Sequence, residues 1–152
     1  MDIVDRSTRK RMMAGIRVKD TKPEMLVRKA LFAAGFRFRL HRADLPGAPD
    51  IVLPGRKVAV LVHGCFWHWH KGCRFFKLPA SNTKFWRTKL ERNVERDDRC
   101  TSALRATGWR VLVVWECATR DKTIEQLSAI LCHSIARAKP FGEISASIPG
   151  RR

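Results

Sequence analysis

The sequence predicts an α/β fold: a single domain with a mixed central β-sheet flanked by helices. Three observations predict it. The chain has 152 residues, enough for one domain with a sizeable core. Two apolar runs, Lys57-Val58-Ala59-Val60-Leu61-Val62 and Arg110-Val111-Leu112-Val113-Val114-Trp115, are nearly unbroken, as strands buried on both faces are. Segments with helical spacing alternate with the strand candidates and give the order α-β-β-β-α-β-α. No internal repeat and no second-domain boundary interrupts that order.

Residues 1–20 read as a basic arm, with Arg6, Arg9, Lys10, Arg11, Arg17 and Lys19. Met12, Met13 and Ile16 give it an apolar character that a solvated tail does not need. Such an arm can follow a phosphate backbone or enter a groove. The main domain spans 21–139. It opens with Thr21-Lys22-Pro23-Glu24, where Thr21 can cap a helix, Pro23 suits the first turn and Glu24 completes a capping box. Leu26, Val27, Ala30, Leu31 and Ala34 continue at helical spacing, and Gly35 stops the helix. Glu24 has two readings of equal weight at this point: a helix cap, or a carboxylate reaching a site.

Phe36 to His41 alternates apolar and basic residues, as a half-exposed strand does. Leu45-Pro46-Gly47-Ala48-Pro49 is a turn. Asp50 then opens a short strand, 51–53, and Pro54-Gly55-Arg56 turns the chain into the strand at 57–62. Thr83 to Thr107 forms a long helix with the stripe Trp86, Leu90, Val94, Thr101 and Leu104. Asp97 falls on that stripe, where a carboxylate needs partners. An Arg is the expected partner, with Asp97 ordering the site from behind. A last helix runs from Thr123 to Ala138, and 140–152 reads as a loose tail.

The formal net charge is +17, from 31 Lys and Arg against 14 Asp and Glu. That excess favours a polyanion, nucleic acid first. A membrane is disfavoured, because no apolar run approaches a span and no lipidation motif is present. Met1 to Arg6 carries no apolar signal-peptide core, so the expected compartment is the cytoplasm. Five cysteines, an odd number, suit metal or free thiols better than a disulfide framework.

The chemistry concentrates in His63-Gly64-Cys65-Phe66-Trp67-His68-Trp69-His70-Lys71-Gly72-Cys73, just after a buried strand. Cys65, His70 and Cys73, with Cys117 after the 110–115 strand, make a Cys3His set of the structural zinc type. Cys100 and Cys132 have no neighbouring ligands, and His41 and His133 no constellation. His63 and His68 stay outside the set, and a neutral histidine can act as a general base. Phosphodiester cleavage also needs charge relief, which Mg2+ supplies through oxygen ligands. Asp50 is the best oxygen donor, and a backbone carbonyl near Val62 is a second. Phe66, Trp67 and Trp86 can wedge between base pairs, at a cost lowest at a mismatch.

Pro49-Asp50, a short apolar strand, a turn and a second apolar strand resemble the PD-(D/E)xK restriction-endonuclease-like core, although no acid-x-Lys follows. A more specific likeness rests on His63 to His68, Phe85-Trp86, Asn93-Val94-Glu95-Arg96-Asp97 and Gly108 to Cys117. These runs resemble the very short patch repair (Vsr) DNA mismatch endonucleases, over roughly Arg9 to Ala118. The resemblance implies a bacterial, Mg2+-dependent, zinc-containing endonuclease. Such an enzyme nicks double-stranded DNA beside a T:G mismatch left by 5-methylcytosine deamination. By position Asp50 matches the metal-binding aspartate, His68 the general base, and His63 and Glu24 the accessory catalytic residues. Cys65, His70, Cys73 and Cys117 match the zinc ligands, and Phe66, Trp67 and Trp86 the intercalating aromatics. Val62 stands where the best-known member has threonine, so activity turns on whether that position serves through its carbonyl or a hydroxyl. Between His70 and Cys73 the loop is one residue longer. A monomer is expected, with mismatch-repair proteins as candidate partners. The competing reading is a zinc-stabilised mismatch-binding module without catalysis.

Overall fold

A computed structural model describes residues 20–137 and 139–146. The arm expected at 1–20 lies outside the described residues except for Asp20. Helix α1 (Lys22–Ala33) begins as the sequence dictates, with Thr21 Oγ1 accepting from the Glu24 N–H and Pro23 in the first turn. Strand β1 is only Arg39–Leu40, shorter than the alternation at 36–41 predicts. His41 ends it in a left-handed conformation, φ 47°, which a side chain with a Cβ seldom adopts. Strand β2 (Ile51–Leu53) and strand β3 (Val58–His63) form the expected hairpin, joined by a 3-10 turn at Pro54–Arg56.

Helix α2 (Thr83–Ala106) is followed by strand β4 (Arg110–Trp115). A short helix, α3 (Glu116–Asp121), starts directly where β4 ends, and helix α4 (Ile124–Ala136) follows. Thr123 and Gln126 cap α4 reciprocally in a capping box. The last element overturns one expectation. Part of the tail is not loose: Phe141–Ile144 forms strand β5, paired parallel with β4 from Val111↔Phe141 to Val114↔Ile144. Gly142 and Glu143 hide this strand from a hydropathy reading. Its cause is tertiary, since β4 would otherwise present an open row of backbone donors and acceptors.

The sheet order is β1-β2-β3-β4-β5. β1, β2 and β3 pair antiparallel, while β3, β4 and β5 run parallel. Two cores result. Ile51, Leu53, Val58, Val60, Leu112, Val114 and Ile144 face α1 and α4, whose Val27, Leu31, Leu127 and Leu131 are fully covered. On the other face Val52, Ala59, Leu61, Val111 and Val113 pack with Leu104 of α2, Trp109, Cys65 and Cys117. Alternation along β3 therefore separates its last two residues. Val62 packs against the first core, and His63 follows on the other face. Both sit at the end of the sheet where β2 begins. Among the described residues no helix is long and apolar enough to cross a membrane.

Candidate active site and metal centre

The end of β3 positions the site. Asp50, entering β2 beside it, accepts a hydrogen bond from the Val62 N–H at 2.9 Å through Oδ2. After His63 the chain winds through helical turns, with His68 N–H donating to Gly64 O and His70 N–H to Cys65 O at 2.9 Å. This winding lays the His68 ring flat on His63, with centroids 3.9 Å apart and planes 2° from parallel. Trp115, at the end of β4, meets His63 edge-on.

Among the described residues Asp97 pairs with a histidine and not with the expected Arg. Its Oδ2 lies 2.6 Å from His68 Nδ1. A carboxylate oxygen only accepts, so Nδ1 carries the proton and a neutral His68 keeps its lone pair on Nε2. From the same helix face Asn93 Nδ2 donates to Trp67 O at 2.9 Å. Two residues of α2 thus hold the loop. The arginine expectation failed because the stripe shows only that Asp97 needs a partner, whereas the partner comes from a loop 29 positions away. His63, His68, His70, Asp97, Trp115 and Glu143 line one cleft of about 640 Å³.

Glu24 lies in the first turn of α1 but does not close the expected capping box: its side chain accepts from the Asp20 N–H at 3.0 Å, one residue before the cap, and it is only 2% exposed. Its Oε1 lies 2.5 Å from Arg28 Nη2 and 3.1 Å from His41 Nε2. His41, which has no constellation in the sequence, belongs to this group, and its N–H donates to Asp50 O. Sequence reasoning missed it, and only the β1–β2 pairing could have pointed to it.

Burial pushes the Asp50 carboxyl up to about 6. The Val62 N–H opposes that rise, Glu24 adds to it, and His41 and His68 oppose it by charge. Asp50 is therefore within electrostatic reach of all three. A half-buried carboxylate that water serves poorly is a fitting oxygen ligand for a hard cation. Burial also pulls His63 down to about 3, with His68 adding to the effect and Asp97 opposing it. His63 is thus a neutral ring at pH 7. A depressed folded-state value means full stability above the unfolded value of 6.5, lost as pH falls toward about 3. The expected slope from this group is up to about 1.4 kcal/mol per pH unit. Denaturation midpoints between pH 7 and 4 should fall less steeply in His63→Phe, which keeps a ring against His68; an unchanged slope would show that His63 does not carry this acid sensitivity.

The second centre is separate from the first. Cys65 Sγ and Cys117 Sγ lie 3.5 and 3.6 Å from His70 Nδ1, and with Cys73 all four ligand atoms fall within 4.8 Å of one another. Cys65 is placed by the turn after β3 and Cys117 by α3. Backbone N–H groups of Cys117, Phe75 and Ala146 donate to the sulfurs of Cys65, Cys73 and Cys117. His70 stacks on Trp115 at 4.0 Å. Burial pushes the Cys65 and Cys117 thiols up and the His70 imidazole down. A metal ion is what makes buried thiolates tolerable, so these four residues could hold one.

The aromatics converge as well. Phe66, Trp67 and Trp86 lie 5.1 to 5.9 Å apart, all edge to face. Phe85, 60% exposed, extends the group, and Phe76 joins Phe66 to Trp69. Phe76 was not singled out in the sequence.

A family model described as DNA mismatch endonuclease Vsr matches residues 1–74. The chain is 53% identical over 113 residues to the type II nicking enzyme V.XorIIP of Xanthomonas oryzae pv. oryzae, across 74% of this chain and 82% of that protein. It is 46% identical over 121 residues to the DNA mismatch endonuclease Vsr of Escherichia coli K12, across 80% of this chain and 77% of that one. It is also 46% identical over 123 residues to the type II nicking enzyme V.NmeAIP of Neisseria meningitidis, across 81% and 87% of the two chains.

Proposed function

The chain belongs to the DNA mismatch endonuclease Vsr family, and from that premise we propose that it nicks one strand beside a T:G mismatch in a Mg2+-dependent reaction. The mismatches are those left by deamination of 5-methylcytosine, and the nick initiates very short patch repair on bacterial cytoplasmic DNA. The observation that carries this reading is the His68–Asp97 pair stacked on His63, within electrostatic reach of a half-buried carboxylate, Asp50.

Asp50 is the cation ligand, with the Val62 carbonyl as a second oxygen. A magnesium ion held there supplies charge relief on the scissile phosphate. His68 takes the proton from the attacking water through Nε2, while Asp97 holds the ring and stabilises the imidazolium. His63 fixes the plane of His68, and His63 and Glu24 order the water around the cation site. Phe66, Trp67 and Trp86 wedge the duplex open, where unstacking costs least at a mismatch. The PD-(D/E)xK likeness fits the β2–β3 hairpin with Asp50 at its start, with histidines in place of the acid-x-Lys half.

Zinc is the metal proposed for Cys65, His70, Cys73 and Cys117. Zn–S bonds of about 2.3 Å and Zn–N bonds of about 2.0–2.1 Å put sulfur and nitrogen roughly 3.5–3.6 Å apart across a tetrahedron. The two sulfur–nitrogen distances of 3.5 and 3.6 Å fit that edge.

The test is strand breakage on T:G and matched C:G duplexes with Mg2+. One broken strand, on T:G only, is expected. Tight T:G binding with no break in any divalent cation would favour the binding-module reading instead. Asp97→Asn should lower kcat on the order of 10²-fold with little change in KM. An unchanged kcat would make Asp97 a packing residue only.

A further inference from the structure

Trp69 stands between His68 and His70 in a backbone conformation that bulky residues rarely adopt, φ 46°. This left-handed turn sends its two neighbours apart. The His68 ring lies on His63, while His70 Nδ1 faces the sulfurs of Cys65 and Cys117. Glycine or asparagine would make that turn at less cost. The position carries the largest side chain instead.

The Trp69 ring has a defined place. It stacks on Phe76, with centroids 5.7 Å apart and planes 19° from parallel. Phe76 stacks in turn on Phe66, at 6.0 Å and 27°. Phe66 then meets Trp67 and Trp86 edge to face. At the far end Lys71 Nζ lies 5.6 Å from the Trp69 centroid, a cation over a ring face. A column of rings therefore runs from the cleft that Trp69 and Lys71 share with His68 to the aromatic group at Phe66. Packing of the sheet does not account for it. Among the described residues both sheet cores are built without Trp69 and Phe76, and the two rings are only half-buried. A side chain that enters a base stack works against the stacking it displaces, so it gains from being held in place beforehand.

We propose that Trp69 and Phe76 are positioning residues that brace Phe66 for insertion, so that this ring column sets how well the protein singles out a mismatch. This rests on Phe66, Trp67 and Trp86 being the wedge of the proposed reaction. The strained turn at Trp69 then has a purpose: it aims the ring at Phe76 while His68 and His70 serve their separate centres.

The experiment measures binding to a T:G duplex and to its matched C:G counterpart in magnesium-free, zinc-retaining buffer. A 2-aminopurine beside the mismatch reports unstacking by brightening. Trp69→Leu and Phe76→Leu should each lower the preference for T:G roughly tenfold, the worth of one or two stacked ring pairs. Both should dim the 2-aminopurine, with matched-duplex affinity and zinc content unchanged. Trp69→Phe keeps a ring and should keep the preference. Trp69→Gly eases the backbone but has no ring, so it should behave as Trp69→Leu. A wild-type preference in Trp69→Gly, or in a zinc-loaded Phe76→Leu, overturns the proposal. If Phe76→Leu does not retain zinc, Trp69→Leu and Trp69→Phe decide, and an equal loss in the two overturns it. A failed brace leaves Phe66→Ala dim and Trp69→Leu bright. Failure of the parent reading looks different: Phe66→Ala would give the wild-type signal, and the brace would have nothing to hold.

Discussion

Asp50→Asn should abolish nicking and, at the same time, stabilise the magnesium-free protein at neutral pH. The two effects have one cause. The Asp50 carboxyl is pushed up to about 6 by burial, from an ordinary value of 3.8. A raised folded-state value means that the group's contribution is complete below 3.8 and is lost as pH rises through about 6. At pH 7 the folded, cation-free protein therefore carries the cost of an ionised half-buried carboxylate in full. A shift of about two units corresponds to something on the order of 3 kcal/mol. Asparagine removes the charge but can still accept from the Val62 N–H through its amide oxygen. Activity moves the other way, because charge relief at a phosphoryl oxygen is worth several kcal/mol, or on the order of 10³-fold in rate. Urea midpoints at pH 7 in magnesium-free, zinc-retaining buffer, together with nicking of a T:G duplex, check both halves. Equal nicking by the two proteins would remove Asp50 from the reaction. A lower midpoint for Asp50→Asn would show that the carboxylate is not under strain.

That coupling of instability to activity also marks what a sequence can disclose. The hairpin carrying Asp50 was legible because its strands are apolar runs and its turn is Pro-Gly. Helix α1 was legible through Thr21, which caps it as its local sequence requires, and α4 through the helical spacing of Ile124, Leu127, Ile130 and Leu131. The metal set was legible because three of its ligands crowd one loop. What escaped was set by partners distant in sequence. Strand β5 exists to cover the edge of β4, and Gly142-Glu143 carries no signal of it. Helix α3 is too short for a periodic pattern, although it places Cys117. Asp97 showed that it needed a partner but not which one, since His68 is 29 positions away. His41 and Arg28 looked ordinary until β1 and α1 brought them to Glu24. Local chemistry can thus be read from residue types and spacing, while charge compensation within the site depends on which elements become neighbours.

Loss of the proposed zinc set should be the most damaging single change to the structure, and its damage should be confined. Structural zinc contributes on the order of 10 kcal/mol when its site assembles on folding, and here that energy goes into holding the loop and not the core beneath α1 and α4. Cys117→Ser, or removal of the metal by a chelator, leaves Cys65 and Cys117 as buried thiols with no cation. Among the described residues the loop from Gly64 to Phe76 is then held by Asn93 on Trp67, Asp97 on His68, Glu116 on the Cys65 N–H and the aromatic stack. The core beneath α1 and α4 contains none of the four ligands, so it does not depend on the metal directly. The expected outcome is therefore a protein that keeps most of its far-ultraviolet helical signal at low temperature. It should lose nicking, zinc content and the near-ultraviolet signal of its tryptophans together. The control is Cys132→Ala, on the exposed side of α4, which should change none of the three. Ala146 adds a second route to the same result, because its N–H donates to Cys117 Sγ just beyond β5. Proline there removes that donor and should weaken zinc retention while leaving all four ligands in place. Nicking that survives complete zinc loss would mean that the loop stands without its metal and that His68 is held by Asp97 and His63 alone.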